Sequence, residues 1–412
     1  MTRLEFDKEG MRTEHLEKGD RGLPPLPHPL WWTIIFAGLI AALATLLLGS
    51  IVLLLLPDDG LQAAMQVRQG VGMIGLGIGL LGLATGMGWR LARGRPPTPF
   101  SPRRTWPLLL AFLVATAAGS ALSLTSSPPT PLAVLGTVAM MLLPALALSA
   151  MGRVMEGKGG TWEDVLGGLI AGASLGTGAA AAVEVGLATL AVLLLLGYAL
   201  LSGHPVDLGS LMEQMQQPGF LTDPQAIANL MKPPILLLIL LAFAVVVPLV
   251  EETAKTLGVG LLGRWLRPDP ARAFLLGIAS GAGFALAENV LNVPLFIGST
   301  WIGGVLSRVL ATLMHCATGG LMGWGWGELW SARKPGHLAL AYLGAVSVHG
   351  LWNGLAVIAT MSGIALTGTE TPIRTLVLSA VVGISGLVLL LIAGLCLIGV
   401  VWAGRSLARR AP

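Results

Sequence analysis

Ten stretches of this chain run on with almost no charge: 31–56, 69–92, 106–126, 131–152, 165–201, 234–262, 274–297, 301–327, 338–361 and 373–403. A helix needs about 20 apolar residues to cross the hydrocarbon core of a bilayer. Lipid offers no water to unpaired backbone groups, so only helices and closed barrels span it. The runs are continuous and lack the alternation of barrel strands, which leaves helices. The expected fold class is therefore all-α, a polytopic transmembrane helix bundle of about ten spans. Charge agrees. The chain holds 46 Asp, Glu, Lys and Arg residues, of which 11 lie in the first 30 positions. The rest are too few to solvate a globular surface, where about a quarter of residues are charged. A soluble enzyme, a disordered chain and a disulfide scaffold are excluded, since Cys316 and Cys396 both fall inside apolar runs. The basic residues form no patch that would call for nucleic acid.

Alternate junctions between the runs carry 15 basic residues, from Arg90 through Arg410, whereas the opposite junctions carry Arg68, Lys232 and Arg374. By the positive-inside rule both termini are expected in the cytoplasm. The chain divides into a polar cytoplasmic tail (1–30), a five-span region of open role (31–201), an extracytoplasmic loop (202–233), a five-span catalytic core (234–403) and a basic cytoplasmic tail (404–412). Within the loop, Asp223-Pro224 reads as the start of a short helix with Ile227, Leu230 and Met231 on one face. Trp31, Trp32, Trp106, Trp162, Trp265, Trp301, Trp330 and Trp402 stand near run ends, where an amphipathic ring suits the interface.

An ionisable group inside a span costs about 2.5–3.5 kcal/mol on insertion scales, so each needs a reason. They gather in four consecutive runs: Glu251, Glu252 and Lys255 in the sixth, Glu288 with Asn289 and Asn292 in the seventh, Arg308 and His315 in the eighth, His349 and Asn353 in the ninth. Counted from the expected cytoplasmic end of each run, Glu252 is 10 residues in, Glu288 14, His315 12 and His349 11. At a rise of 1.5 Å per residue all four lie at about 15–21 Å, in one layer. His349 and Asn353 share a helix face, as do Glu288 and Asn292. Lys255 is four residues from Glu251 and three from Glu252, and helical geometry favours the first pairing slightly.

Two chemistries fit this layer. A glutamate can take the proton of a water while His and Asn groups stabilise an oxyanion on a peptide carbonyl. Equally, Glu288, His315 and His349 are an N/N/O set of the kind that catalytic zinc uses, with a fourth position open to water. The residue types alone leave both open.

The ordered segments EETAK (251–255), FALAEN (284–289), His315 within RVLATLMHCATGG, and HGLWN (349–353) resemble the motifs of the PrsW family of intramembrane metalloproteases, within the CAAX-prenyl-protease and bacteriocin-processing superfamily. The resemblance covers about 170 residues, 234–403. It implies a catalytic set of Glu251, Glu252, Glu288, His315, His349 and Asn353, with Lys255, Phe284 and Asn289 in support. It also implies a multi-pass protein of a bacterial cell membrane, acting on a membrane-anchored substrate such as an anti-sigma-type regulator. Glu288 stands where the prenyl-protease motif has His, which argues against a CAAX substrate.

A proton-coupled transporter using the same Glu and His residues is the alternative function. Transporters tend to show matching halves, and here the polar layer is confined to runs six to nine. Arg308 is expected to snorkel to the outer interface, Trp352 to pack, and the glycines at 167, 168, 172, 176 and 178 to allow close helix contact. Glu184 has no assigned task.

Overall fold

The computed structural model describes residues 28–56, 60–125, 129–202, 233–266, 268–292, 301–367 and 371–411. The loop helix expected after Asp223 lies outside them. Among the described residues the structure is all-helical, with one isolated bridge between Pro99 and Thr161. The helices are α1 (His28–Leu54), α2 (Gly60–Ala92), α3 (Trp106–Ser123), α4 (Pro129–Val154), α5 (Trp162–Ala171), α6 (Thr177–Ser202), α7 (Pro233–Leu241), α8 (Val247–Lys255), α9 (Leu257–Leu266), α10 (Pro270–Leu291), α11 (Trp301–Ala332), α12 (Pro335–Thr367) and α13 (Pro372–Arg410). Single π-turns, Gly172–Gly176 and Ala242–Val246, join α5 to α6 and α7 to α8. Joined in this way, the described helices make ten spans long and apolar enough to cross a membrane. The protein is a multi-pass membrane protein.

Helix ends depart from the apolar runs because a helix continues past the hydrocarbon edge. α2 begins early enough to take in Arg68, which is buried. α10 starts at Pro270 because the Asp269 carboxylate caps it, accepting from the amides of Ala271 (2.9 Å) and Arg272 (3.1 Å).

α10 is the axis of the bundle and is buried along nearly its whole length. It packs on α11, on α4 and α5 from the first half of the chain, and on the first π-turn. Small residues set these distances. A Cβ on Gly172 would collide with the Ser280 carbonyl, and one on Gly281 with the His315 carbonyl. The second contact brings α11, and with it His315, against the axis.

Outside the polar layer the buried carboxylates of Glu163 and Asp164 are paired, with Arg90 and Arg272. Asp164 closes a capping box with Thr161 at the start of α5 and holds Arg272 through two bonds of 2.9 and 2.8 Å. Bidentate geometry of this kind is the strong form of a carboxylate–guanidinium pair, and it ties α5 to α10. Trp31 and Trp301 correct the expectation of a tryptophan belt: both are buried, against Gly167 and Gly119 respectively, whereas Trp106, Trp265 and Trp402 are exposed on the outer surface. The glycines give an indole room to turn inward.

Candidate active site

The site begins with a helix that breaks. α8 ends at Lys255 because Thr256 leaves helical geometry, at φ −101° and ψ 5°. In lipid the groups freed by such a break need new partners. The Ser280 hydroxyl on α10 donates to the Lys255 carbonyl, and the Thr256 hydroxyl donates to the Glu252 carbonyl at 3.1 Å. The last turn of α8 is thus locked against the axis, with Glu252 and Lys255 fully buried.

Glu252 Oε1 is the hub. Lys255 Nζ donates to it at 2.6 Å, the Thr318 hydroxyl at 3.1 Å, and His349 Nδ1 lies 2.7 Å away. A carboxylate accepts only, so the Nδ1 of His349 carries the hydrogen and Nε2 is left with its lone pair. That nitrogen lies 3.5 Å from Glu251 Oε2. Lysine donates only, so Lys255 Nζ donates a hydrogen bond to His315 Nδ1 at 2.9 Å, and the ring hydrogen of His315 sits on Nε2. His315 Nε2 stands 2.6 Å from Glu288 Oε2, and the other Glu288 oxygen lies 3.0 Å from Arg308. Arg308 Nε donates to Asn289 Oδ1 at 2.7 Å, and Asn289 Nδ2 to the Thr312 hydroxyl at 2.8 Å. Phe284 packs beside the His315 ring, 5.7 Å between centroids, and under the Lys255 ammonium.

One chain of contacts therefore joins Glu251, Glu252, Lys255, Glu288, Asn289, His315 and His349. Asn353 lies outside it: its amide donates to the Phe243 carbonyl at 3.1 Å, in the second π-turn. Asn292 caps α10 by donating to the Glu288 carbonyl at 2.8 Å. Lys255 pairs with Glu252, the i+3 option, because Glu251 points toward the less enclosed side of α8, its side chain 13% exposed. Trp352 packs with Ala311, Met314 and Ala393.

One residue, Thr318, escaped the sequence reading, and two that it had picked out, Arg308 and Glu184, are placed differently or newly. Arg308 turns inward to Glu288 and Asn289 instead of snorkelling, a correction whose signal was present in its seven-residue spacing from His315. Thr318 had none, since a hydroxyl is unremarkable in an apolar helix. Glu184, on α6, has a buried Oε1 with no hydrogen-bond partner.

Charge and geometry both suit a cation. Glu251, Glu252, Glu288 and Glu184 outnumber Lys255 and Arg308, and buried oxygens of Glu251 and Glu252 accept no hydrogen bond. Ligand atoms of Glu251, His315 and His349 all lie within 4.8 Å of one another. Two zinc ligands at about 2.0–2.2 Å stand roughly 3.3 Å apart in a tetrahedral site, close to the Glu251–His349 separation. Glu252 behind His349 is the carboxylate partner that metal-bound histidines usually have. Glu251 thus stands where the residue types had pointed to Glu288, which instead lies against His315 and Arg308.

The side chains of Glu288 and Glu251 are 32% and 13% exposed, so the layer has an open edge. A separate apolar cavity of about 710 Å³ runs along α11, α12 and α13, past Ala317 and Val348, and none of the cluster side chains lines it.

Residues 225–387 match the model of the PrsW family intramembrane metalloprotease, a segment that runs through α7 to α12 and into α13. No curated protein and no solved structure matches the chain.

Proposed function

We propose that this chain, an intramembrane protease whose residues 225–387 carry the PrsW-family domain, hydrolyses a peptide bond of a membrane-anchored protein with a water activated by Glu251. The observation that carries the reading is the division of labour between neighbouring glutamates. Glu252 Oε1 is saturated by Lys255, Thr318 and His349 and its side chain is fully buried, while Glu251 has no such anchor, its Oε2 accepts no hydrogen bond and its side chain is 13% exposed. Glu251 takes the proton of the water as the water oxygen bonds to the carbonyl carbon, and returns that proton to the amine nitrogen as the C–N bond breaks. Glu252 fixes the tautomer of His349, so that the lone pair on Nε2 faces the same place. Lys255 balances the charge of Glu252 and fixes the hydrogen of His315 on Nε2. That hydrogen shifts from Glu288 to the oxyanion forming on the carbonyl, while Arg308 retains Glu288. Groups already pointed at developing charge need no reorganisation during reaction.

A zinc ion would be held by Glu251 and the free Nε2 of His349, with His315 joining once its ring gives up the Lys255 bond or the Nε2 hydrogen; it would supply a Lewis acid and make its water more acidic. In the metal-free arrangement the carboxylate that meets the water is Glu251. A single-span regulator of the anti-sigma type is the substrate that the family resemblance implies. The skew of basic residues supports both termini in the cytoplasm, and a bacterial cell membrane is what the family resemblance implies.

The test is proteolysis in lipid. Purified protein with single-span candidate substrates should release shortened products, and the Glu251→Gln, Glu252→Gln double variant should release none. A double variant that still cuts would overturn the reading.

A further inference from the structure

A second concentration of charge lies far from the polar layer, where α4 and α13 end. Arg153, Lys158, Arg405 and Arg409 wall a cavity of about 300 Å³, with Glu156 as its one acid. Among the described residues none of the four cations is within ion-pair distance of a carboxylate. Arg153 donates to the Thr105 hydroxyl at 3.1 Å. The two pairs are about 250 residues apart in sequence, and the orientation of loops requires only that cations flank the spans. It does not require them to converge on one cavity, where like charges repel. Convergence of four cations on a cavity with a single acid, and no ion pair to it, points to an anion supplied from outside.

Arg405 and Arg409 also wall an adjoining cavity of about 430 Å³, and its other walls are Leu397, Ile398, Val401 and Trp402. Leu397, Val401, Arg405 and Arg409 recur every four residues, so they form one stripe of α13. The stripe leads from the cations into the apolar part of the helix, and Ile398 and Trp402 stay exposed on its flank, at 67% and 69%.

A charged pocket and an apolar groove that share Arg405 and Arg409 as walls are the two parts of a lipid site. Basic pockets between transmembrane helices are known receptors for anionic headgroups. We propose that this joint cavity binds an anionic phospholipid, its phosphate held by Arg153, Lys158, Arg405 and Arg409 and one acyl chain laid along Leu397, Ile398, Val401 and Trp402. Four cations against one acid favour a headgroup with two phosphates over one. The bound lipid staples α13 to α4, which already touch where a Cβ on Gly404 would meet Met151. The site is independent of the proteolytic reading.

The full chain in mild detergent, studied by native mass spectrometry, tests this. The probes are cardiolipin, phosphatidylglycerol, phosphatidylcholine and inorganic phosphate at equal concentration. Cardiolipin should be retained most and phosphatidylcholine at least tenfold less. The Arg405→Gln, Arg409→Gln variant should lose at least tenfold of the cardiolipin adduct, and Arg333→Gln, Lys334→Gln, at another loop, should lose none. Should the first variant fail to assemble, Arg153→Gln, Lys158→Gln removes the cations of the other wall and should show the same loss. Equal retention of charged and neutral lipid would overturn the proposal. So would equal losses in both loops, or displacement of cardiolipin by phosphate alone, which would mark an anion pocket without a lipid groove.

Discussion

His349 and Glu252, 97 residues apart in sequence, meet in mid-bundle with Nδ1 2.7 Å from Oε1. That contact fixes which nitrogen of the ring is free, and the free one faces Glu251. The two adjacent glutamates thereby acquire different work, one inside the protein and one at its open edge. The predictions below separate these tasks.

Glu252→Gln should cost stability as well as activity. Removing one partner of a buried ion pair leaves the other charge uncompensated and costs about 3–5 kcal/mol; here Lys255 would be left facing His315. Unfolding in detergent should therefore shift to clearly lower temperature, and the pair Glu252→Gln, Lys255→Met should recover part of the shift. An unchanged midpoint for the single variant would contradict the hub role.

Asn353→Ala should slow cleavage only a few-fold. A lost oxyanion donor costs about 10²–10³ in kcat, but the Asn353 amide is engaged by the Phe243 carbonyl. Its loss should cost about 1 kcal/mol of stability, as for an ordinary hydrogen bond. A hundredfold drop in kcat with normal stability would return Asn353 to the catalytic set.

How much of this was legible beforehand follows from what each residue costs a membrane. Glu251, Glu252, Glu288, His315 and His349 are conspicuous because an ionisable group in lipid needs a reason, and equal depth on consecutive spans marks them as one layer. Helical spacing also placed Asn292 and Asn353 on the right faces, yet could not show that each turns to a backbone carbonyl. Pairing directions were not legible either. Whether Lys255 takes Glu251 or Glu252 depends on a helix break at Thr256 that no residue type announces. Arg308 misled because an arginine near a span end has a cheap way out to water, and only the neighbouring Glu288 and Asn289 hold it inside. Thr318 and Ser280, cheap in any apolar helix, left no trace.

Arg308→Gln should reduce cleavage at least tenfold through kcat more than KM, because Glu288 loses the partner that holds it when the His315 hydrogen leaves. Arg308→Lys should restore part of the rate. Equal activity of Arg308→Gln and the parent chain would make Arg308 a packing residue only.

Gly281→Val should displace His315 without touching a polar group. A branched side chain cannot fit against the His315 carbonyl, and overpacking costs about 1–3 kcal/mol. Lower thermal stability together with lost cleavage is expected, while Gly178→Ala, where a Cβ meets open space, should leave both unchanged.

Zinc content should follow the donor set. Protein purified without chelator should hold about one zinc per chain, falling sharply in His349→Ala and His315→Ala, since a site that loses one of three ligands binds far more weakly. Equal zinc in parent and both variants would place the metal elsewhere.

The most direct test of the account is the rate of peptide-bond cleavage in lipid by Glu251→Gln, measured beside its unfolding temperature. Loss of a general base costs about 10²–10⁴ in rate, and Glu251 Oε2 accepts no hydrogen bond that the substitution would break. The account predicts a loss of that size with an unfolding temperature close to that of the parent chain. Parental activity in Glu251→Gln would contradict it.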